Sequence, residues 1–170
     1  MQLKSRDQMI SFGDKKGDVK NLYFRKLKEE DHEEVVSMFF DFYAEDKSSV
    51  AVTAQNMKRT IRHWNDFPNA GCIYTFHLDN CVVGYANFIF YWSNEYGGEI
   101  VNLDEFFIKK DYRGKGIALR FLADLDKLFG ESVAGYELEV HPTNKGVVKL
   151  YEKAGFSINE NCFMLKLKTY

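Results

Sequence analysis

The hydrophobic positions change period several times along the chain, and each change marks an element. Leu22, Phe24 and Leu27 lie close to alternation, which predicts a strand over 21–27. Glu29, Glu30 and Asp31 then place negative charge where a helix should start. Val35, Met38, Phe39 and Phe42 follow at helical spacing, with Val36, Phe40 and Tyr43 beside them. Ala44 to Val52 reads as a loop carrying Glu45, Asp46 and Lys47. Thr53 suits the cap of a second helix, which bears Met57, Ile61 and Trp64 and ends before Pro68. Two strands come next, 72–78 and 81–92, joined by Asp79-Asn80 as a two-residue hairpin turn. Gly84 inside the second, largely apolar strand implies a bulge or a close neighbour.

After a turn at 93–98, a strand over 99–109 runs into Arg113-Gly-Lys-Gly-Ile-Ala118. Ile117, Ala118, Phe121, Leu122, Leu125 and Phe129 then recur with helical spacing as far as Gly130. Tyr136, Leu138 and Val140 alternate in a strand over 135–140, and His141-Pro-Thr-Asn144 breaks it and caps another helix. That helix carries Val147, Leu150, Tyr151 and Ala154 and stops at Gly155. Short strands are expected near 156–158 and over 162–168. The first 20 residues are polar with little periodicity and read as a mobile arm, leaving 21–170 as the domain. The succession predicts a mixed α/β fold around a central sheet, with about six to seven strands and about four helices.

Composition narrows the class. A chain of 170 residues with 45% hydrophobic content suits one domain with a sizeable core. No apolar run reaches the roughly 18 residues of a membrane span, and no apolar block with a cleavage site follows the charged N-terminus, so no signal peptide is expected. A net charge of −2 opposes a nucleic-acid-binding surface and leaves room for a cationic small molecule. The three cysteines, Cys72, Cys81 and Cys162, lack metal-ligand spacing. Counting back along the hairpin sets Cys72 opposite Asn87, too far from Cys81 to bridge. An odd count without a feasible local pair fits a reducing cytoplasm.

The chemistry concentrates between Leu103 and Leu122. A strand, a turn with Gly114 and Gly116, and a helix with a small, basic first turn make an anion site. The first helix amides have no internal partner, the dipole is positive there, and glycine admits a ligand close to the backbone. Arg113 and Lys115 add charge. A P-loop is excluded because Lys115 is followed by Gly116 rather than Ser or Thr, and the dinucleotide fingerprint fails because Leu119 stands where its third glycine belongs.

Arg113-Gly-Lys-Gly116-Ile-Ala118 does match Arg/Gln-x-x-Gly-x-Gly/Ala. Downstream, Glu139-Val-His-Pro-Thr-Asn144 through Leu150-Tyr-Glu-Lys-Ala-Gly-Phe156 forms a second motif, Asn followed by a helix with Tyr and Gly-Phe. In these two motifs and in the order of elements the chain resembles the GNAT superfamily of acetyl-CoA-dependent N-acetyltransferases. The resemblance implies a sheet splayed in the middle and acetyl-CoA as cosubstrate without a metal. It also implies a pantetheine arm along the backbone of Phe106, Phe107 and Ile108, and a pyrophosphate on Arg113, Gly114, Lys115, Gly116, Ile117 and Ala118. Asn144 would contact the cofactor arm and Tyr151 would protonate the leaving thiolate. A homodimer through the sheet edge or C-terminal strand is a further implication.

The acceptor amine needs a base, and Asp104 and Glu105 are the candidates. As neighbours on one strand they should point to opposite faces unless a bulge intervenes. Related polyamine-type enzymes often carry Glu-Asp here, whereas this chain has Asp-Glu; Glu105 is the preferred reading, with Asp104 close behind. The helix around Phe42 and Tyr43, the acidic pair Glu45 and Asp46, and Trp92 are candidates for the acceptor site. The expected function is acetyl transfer to a primary amine of a small molecule. The alternatives are a protein or peptide acceptor and a non-catalytic CoA-binding module.

Overall fold

The alternating segments pair into one mixed sheet. In the computed structural model the described residues are 10–11, 21–45, 51–130, 133–141 and 143–159. Five substantial strands are β2 (Leu22–Lys26), β3 (Gly71–Leu78), β4 (Cys81–Ser93), β5 (Gly98–Ile108) and β6 (Val133–Leu138), and a two-residue β1 (Ile10–Ser11) borders β2. They lie side by side in chain order. Neighbours are antiparallel from β1 to β5, and β6 alone is parallel to its neighbour β5. Residues 12–20 and 1–9 lie outside the described residues.

Among the described residues there are five α-helices: α1 (His32–Glu45), α2 (Ala54–Asp66), α3 (Ile117–Ala123), α4 (Leu125–Phe129) and α5 (Lys145–Lys153). The α1 start carries Glu33 and Glu34 at the positive end of its dipole. Thr53 closes a reciprocal capping box with Asn56 at the start of α2. The single helix expected over 117–130 is two helices. Asp124 interrupts it with its amide bonded to Phe121 O in a tighter turn, its buried carboxylate paired with Lys127. No strand forms at 156–158, and 162–168 lies outside the described residues.

The chain forms two compact units, Met1–Glu139 and Val140–Tyr170. In the first, each face of the sheet buries its own core. On one face Val35, Met38 and Phe39 of α1 and Met57 and Ile61 of α2 cluster with Ile73, Tyr85 and Phe107. On the other, Phe121 of α3 meets Phe24, Phe76, Phe88 and Phe106 at 4.5 to 6.0 Å between ring centroids. Phe129 of α4 adds Phe88, Phe90 and Tyr74. Each such aromatic side chain contributes roughly 1.5–3 kcal/mol by leaving water, so the aromatic richness of the sequence is spent mainly on core.

Two bulges set the register of the central strands. Asp79 and Asn80 take φ of 50° and 64° and close the hairpin with Leu78 opposite Cys81, as the residue types predict. Val83 is then an extra residue in β4, because His77 faces Val82 while Phe76 faces Gly84. Cys72 therefore lies opposite Phe88, one residue from the Asn87 obtained by simple counting. Gly84 itself is packed tightly: a Cβ there would stand 2.5 Å from Phe107 O and 2.7 Å from Phe76 Cδ2.

The second bulge lies in β5. Asn87 pairs with Glu105 and Phe88 with Leu103, so Asp104 has no opposite number. At the same level β5 and β6 separate. Their pairing ends at Leu103↔Leu138, while β5 continues to Ile108 paired only with β4.

Candidate active site

A bulge does intervene at Asp104 and Glu105, so the alternation to opposite faces is lost there. An extra residue breaks the period of two, so the two consecutive side chains reach the same face of the sheet. Asn87 of β4 donates to Asp104 Oδ2 at 3.1 Å, and Trp64 of α2 donates to Asn87 Oδ1 at 2.8 Å. Tyr85 of β4 donates to Glu105 Oε2 at 3.1 Å, and Tyr43 of α1 donates to Glu105 Oε1 at 2.9 Å. Each carboxylate is thus fixed by β4 together with one of the two helices covering that face.

Their environments differ. Glu105 is only 6% exposed, whereas Asp104 is open to solvent. Burial is the main cause that pushes the Glu105 carboxyl up to about 7; the charge of Asp104 adds to the rise, and the Tyr43 and Tyr85 hydroxyls oppose it by favouring the carboxylate. The Asp104 carboxyl is also raised, first by desolvation and then by Glu139, against the pull of Asn87. A buried carboxylate poised near neutral pH can accept a proton and give it up again, which is what a general base needs. Burial also raises the Tyr85 phenol strongly, helped by Glu105, so it stays a donor.

Beyond β5 the chain makes a short 3-10 turn, Lys110–Tyr112, and then the glycine turn. Gly114 and Gly116 have φ of 73° and 78°, and a Cβ built on either meets nothing within 4 Å. The first bond of α3 runs from the Arg120 amide to Gly116 O at 3.0 Å, so the amides of Ile117 to Leu119 precede the bonded register. Residues 113–116 are exposed. The Arg113 side chain is engaged on the protein: Nε donates to Ile108 O at 2.6 Å, and both terminal nitrogens pair with the Glu45 carboxylate at 2.8 and 3.0 Å. Lys115 Nζ stands 5.0 Å from the Tyr112 ring centroid.

A strand that parts from its parallel neighbour, a bulge under two carboxylates and an open glycine turn beyond the strand's end thus lie along one stretch of chain. The sequence profile of the acetyltransferase (GNAT) family matches residues 23–156. The chain belongs to that family. It is therefore an acyltransferase. No curated protein matches it significantly. Among solved structures it is similar to a possible acetyltransferase from Clostridium difficile 630, at 14% identity and a TM-score of 0.74 over 87% of this chain and 99% of that one. It is similar to a ribosomal-protein-alanine N-acetyltransferase from Brucella melitensis biovar Abortus 2308, at 18% identity and 0.67 over 86% and 99%. An aminoglycoside N-acetyltransferase solved in complex with CoA aligns at 13% identity and 0.71 over 88% and 96%. At these identities the likeness is one of fold.

The GNAT fold uses acetyl-CoA, and the residues present fit such a ligand. The glycine turn has open space where a phosphate would approach the amides, and the β5 edge at Phe106, Phe107 and Ile108 has no β6 partner. The ring of Phe106 packs beside Phe121, and that of Phe107 lies in the α1–α2 core with Arg113 at 5.3 Å. Asn144 stands at the N-cap position of α5 without a side-chain capping bond, so its amide group is not spent on the helix start. Tyr151, in the same unit, is buried beside Phe156 with ring centroids 5.8 Å apart, and burial pushes its phenol up to about 12. Among the described residues no group of three or more His, Cys, Asp or Glu side chains is placed to hold a metal, and no helix is long and apolar enough to cross a membrane.

The acceptor-side candidates divide. Tyr43 reaches Glu105, but Phe42 packs on the α1–α2 core and Glu45 faces the glycine turn; Asp46 lies outside the described residues. Trp92 is 68% exposed near the end of β4. Tyr85, Asn87 and Trp64 were not among the sequence candidates. A signal existed: Tyr85 and Asn87 are polar-tipped residues two apart in an otherwise apolar strand, hence on one face.

Proposed function

We propose that residues 21–170 form an N-acetyltransferase domain that moves an acetyl group from acetyl-CoA to a primary amine of a small molecule, by direct transfer in a ternary complex. The observation that carries this reading is Glu105, a buried carboxylate poised near neutrality beside the parting of β5 and β6. In this reading Glu105 takes a proton from the amine, directly or through water, as the amine nitrogen bonds to the acetyl carbon. Backbone amides at Phe107 or Ile108 donate to the charge that develops on the carbonyl oxygen. As the carbon–sulfur bond breaks, the proton for the departing sulfur comes from Tyr151, which its raised pKa keeps protonated at neutral pH. Glu105 then gives its proton to solvent and Tyr151 regains one from it, so the cycle balances without a covalent enzyme intermediate and the cysteines take no part. The amides from Arg113 to Ala118 hold the pyrophosphate, and Asn144 contacts the cofactor arm.

A small cationic acceptor is favoured by the carboxylates on this part of the sheet. Asp104 and Glu105 lie together, Glu139 is near enough to raise Asp104, and Glu137 of β6 accepts from Tyr91 at 2.6 Å and from Asn102 at 3.1 Å. Such a field draws a protonated amine, which gives one proton to solvent before its neutral form attacks. The test is acetyl-CoA turnover against polyamines, aminoglycosides, amino acids and peptides, read as free thiol. Thiol release with small amines, and much less with peptides, is expected. Release with peptides alone, or binding of acetyl-CoA with no release for any acceptor, contradicts the proposal.

A further inference from the structure

The last turn of α1 touches both halves of the site. Glu45 receives both terminal nitrogens of Arg113, at 2.8 and 3.0 Å, and Lys110 Nζ lies 3.7 Å away. This is a planar, bidentate pairing that an arginine equally offers to phosphate oxygens. Two residues earlier, Tyr43 donates to Glu105 Oε1. Residues two apart leave a helix on different sides, so one turn of helix reaches both the anion turn and the carboxylate. The start of the same helix is tied separately, by Glu34 to Lys109 at the end of β5.

The Glu45–Arg113 pair is partly open to solvent, with side-chain exposures of 34% and 40%. A pair of that kind is weak enough for a doubly charged diphosphate to displace. Arg113 is also held by Ile108 O, which keeps the guanidinium beside the turn after Glu45 leaves.

We propose that Glu45 stands in for the cofactor's pyrophosphate on Arg113 and is displaced from it when the cofactor binds. This rests on the reading of the turn as a CoA site.

Titration calorimetry of CoA at pH 7 reads affinity and needs no turnover. Glu45→Gln at this partly exposed position is expected to bind CoA about two- to fivefold more tightly, since an internal competitor is gone. Unchanged or weaker binding by Glu45→Gln overturns the stand-in role, because Glu45 would then merely orient Arg113. Wild-type protein that binds no CoA overturns the CoA reading and this inference with it.

Discussion

Glu105 is where burial and hydrogen bonding oppose each other most closely. Desolvation raises its carboxyl, while two phenol hydroxyls support the charged form. A bond to a charged group is worth about 1.5–3 kcal/mol, and a tenfold change in proton affinity corresponds to about 1.4 kcal/mol. Removing the Tyr43 hydroxyl therefore raises the carboxyl further. The base works only when deprotonated, so in Tyr43→Phe the acidic limb of the kcat/KM profile should move upward by about one pH unit. Activity should recover at higher pH. A uniform loss at every pH would mean that Tyr43 is only a packing residue. Because Tyr43 sits in α1 and Glu105 in β5, 62 positions apart, no sequence window shows this pair.

At the scale of elements, the bulges decide more than the strands do. The strand at 99–109, the glycine turn and the hairpin at Asp79-Asn80 were readable from period and residue type, and they appear within a residue or two. Gly84 signals a bulge or a close neighbour and a bulge is allowed for at Asp104–Glu105, but the insertions at Val83 and Asp104 could not be placed, because a bulge breaks the alternation without marking its own position. Counting without the first misplaces Cys72 by one position; counting without the second sends Asp104 to the other face. The break at Asp124 was also hidden, since Ile117, Phe121, Leu125 and Phe129 keep helical spacing across it. Gly84 was legible as a tight spot, and its role can be measured. With a Cβ 2.5 Å from Phe107 O, backbone must shift, and Gly84→Ala should cost about 1–3 kcal/mol and lower Tm by several degrees. An unchanged Tm would show that β3, β4 and β5 give way there freely.

The unit Met1–Glu139 combines a core on each face of its sheet with a seam where β5 and β6 part. The turn and the second motif that carry the family resemblance are each contiguous in sequence, which is why the family could be read before any fold. Glu105, its two tyrosines and the Asn87–Trp64 pair beside Asp104 come from four elements brought together by the sheet, so no single stretch of sequence shows them together. A net charge of −2 with carboxylates gathered near the seam suits a cationic acceptor at the scale of the whole protein.

The central claim is that Glu105 is the base of an acetyl transfer to an amine. Its most direct test is the pH dependence of thiol release from acetyl-CoA, with the best small amine, for wild type and Glu105→Gln. The wild-type kcat/KM should fall as pH drops through about 7, following protonation of Glu105. Glu105→Gln should lose about 100- to 10,000-fold in kcat while binding CoA as the wild type does. Full turnover by Glu105→Gln, with the acidic limb still in place, would contradict the account.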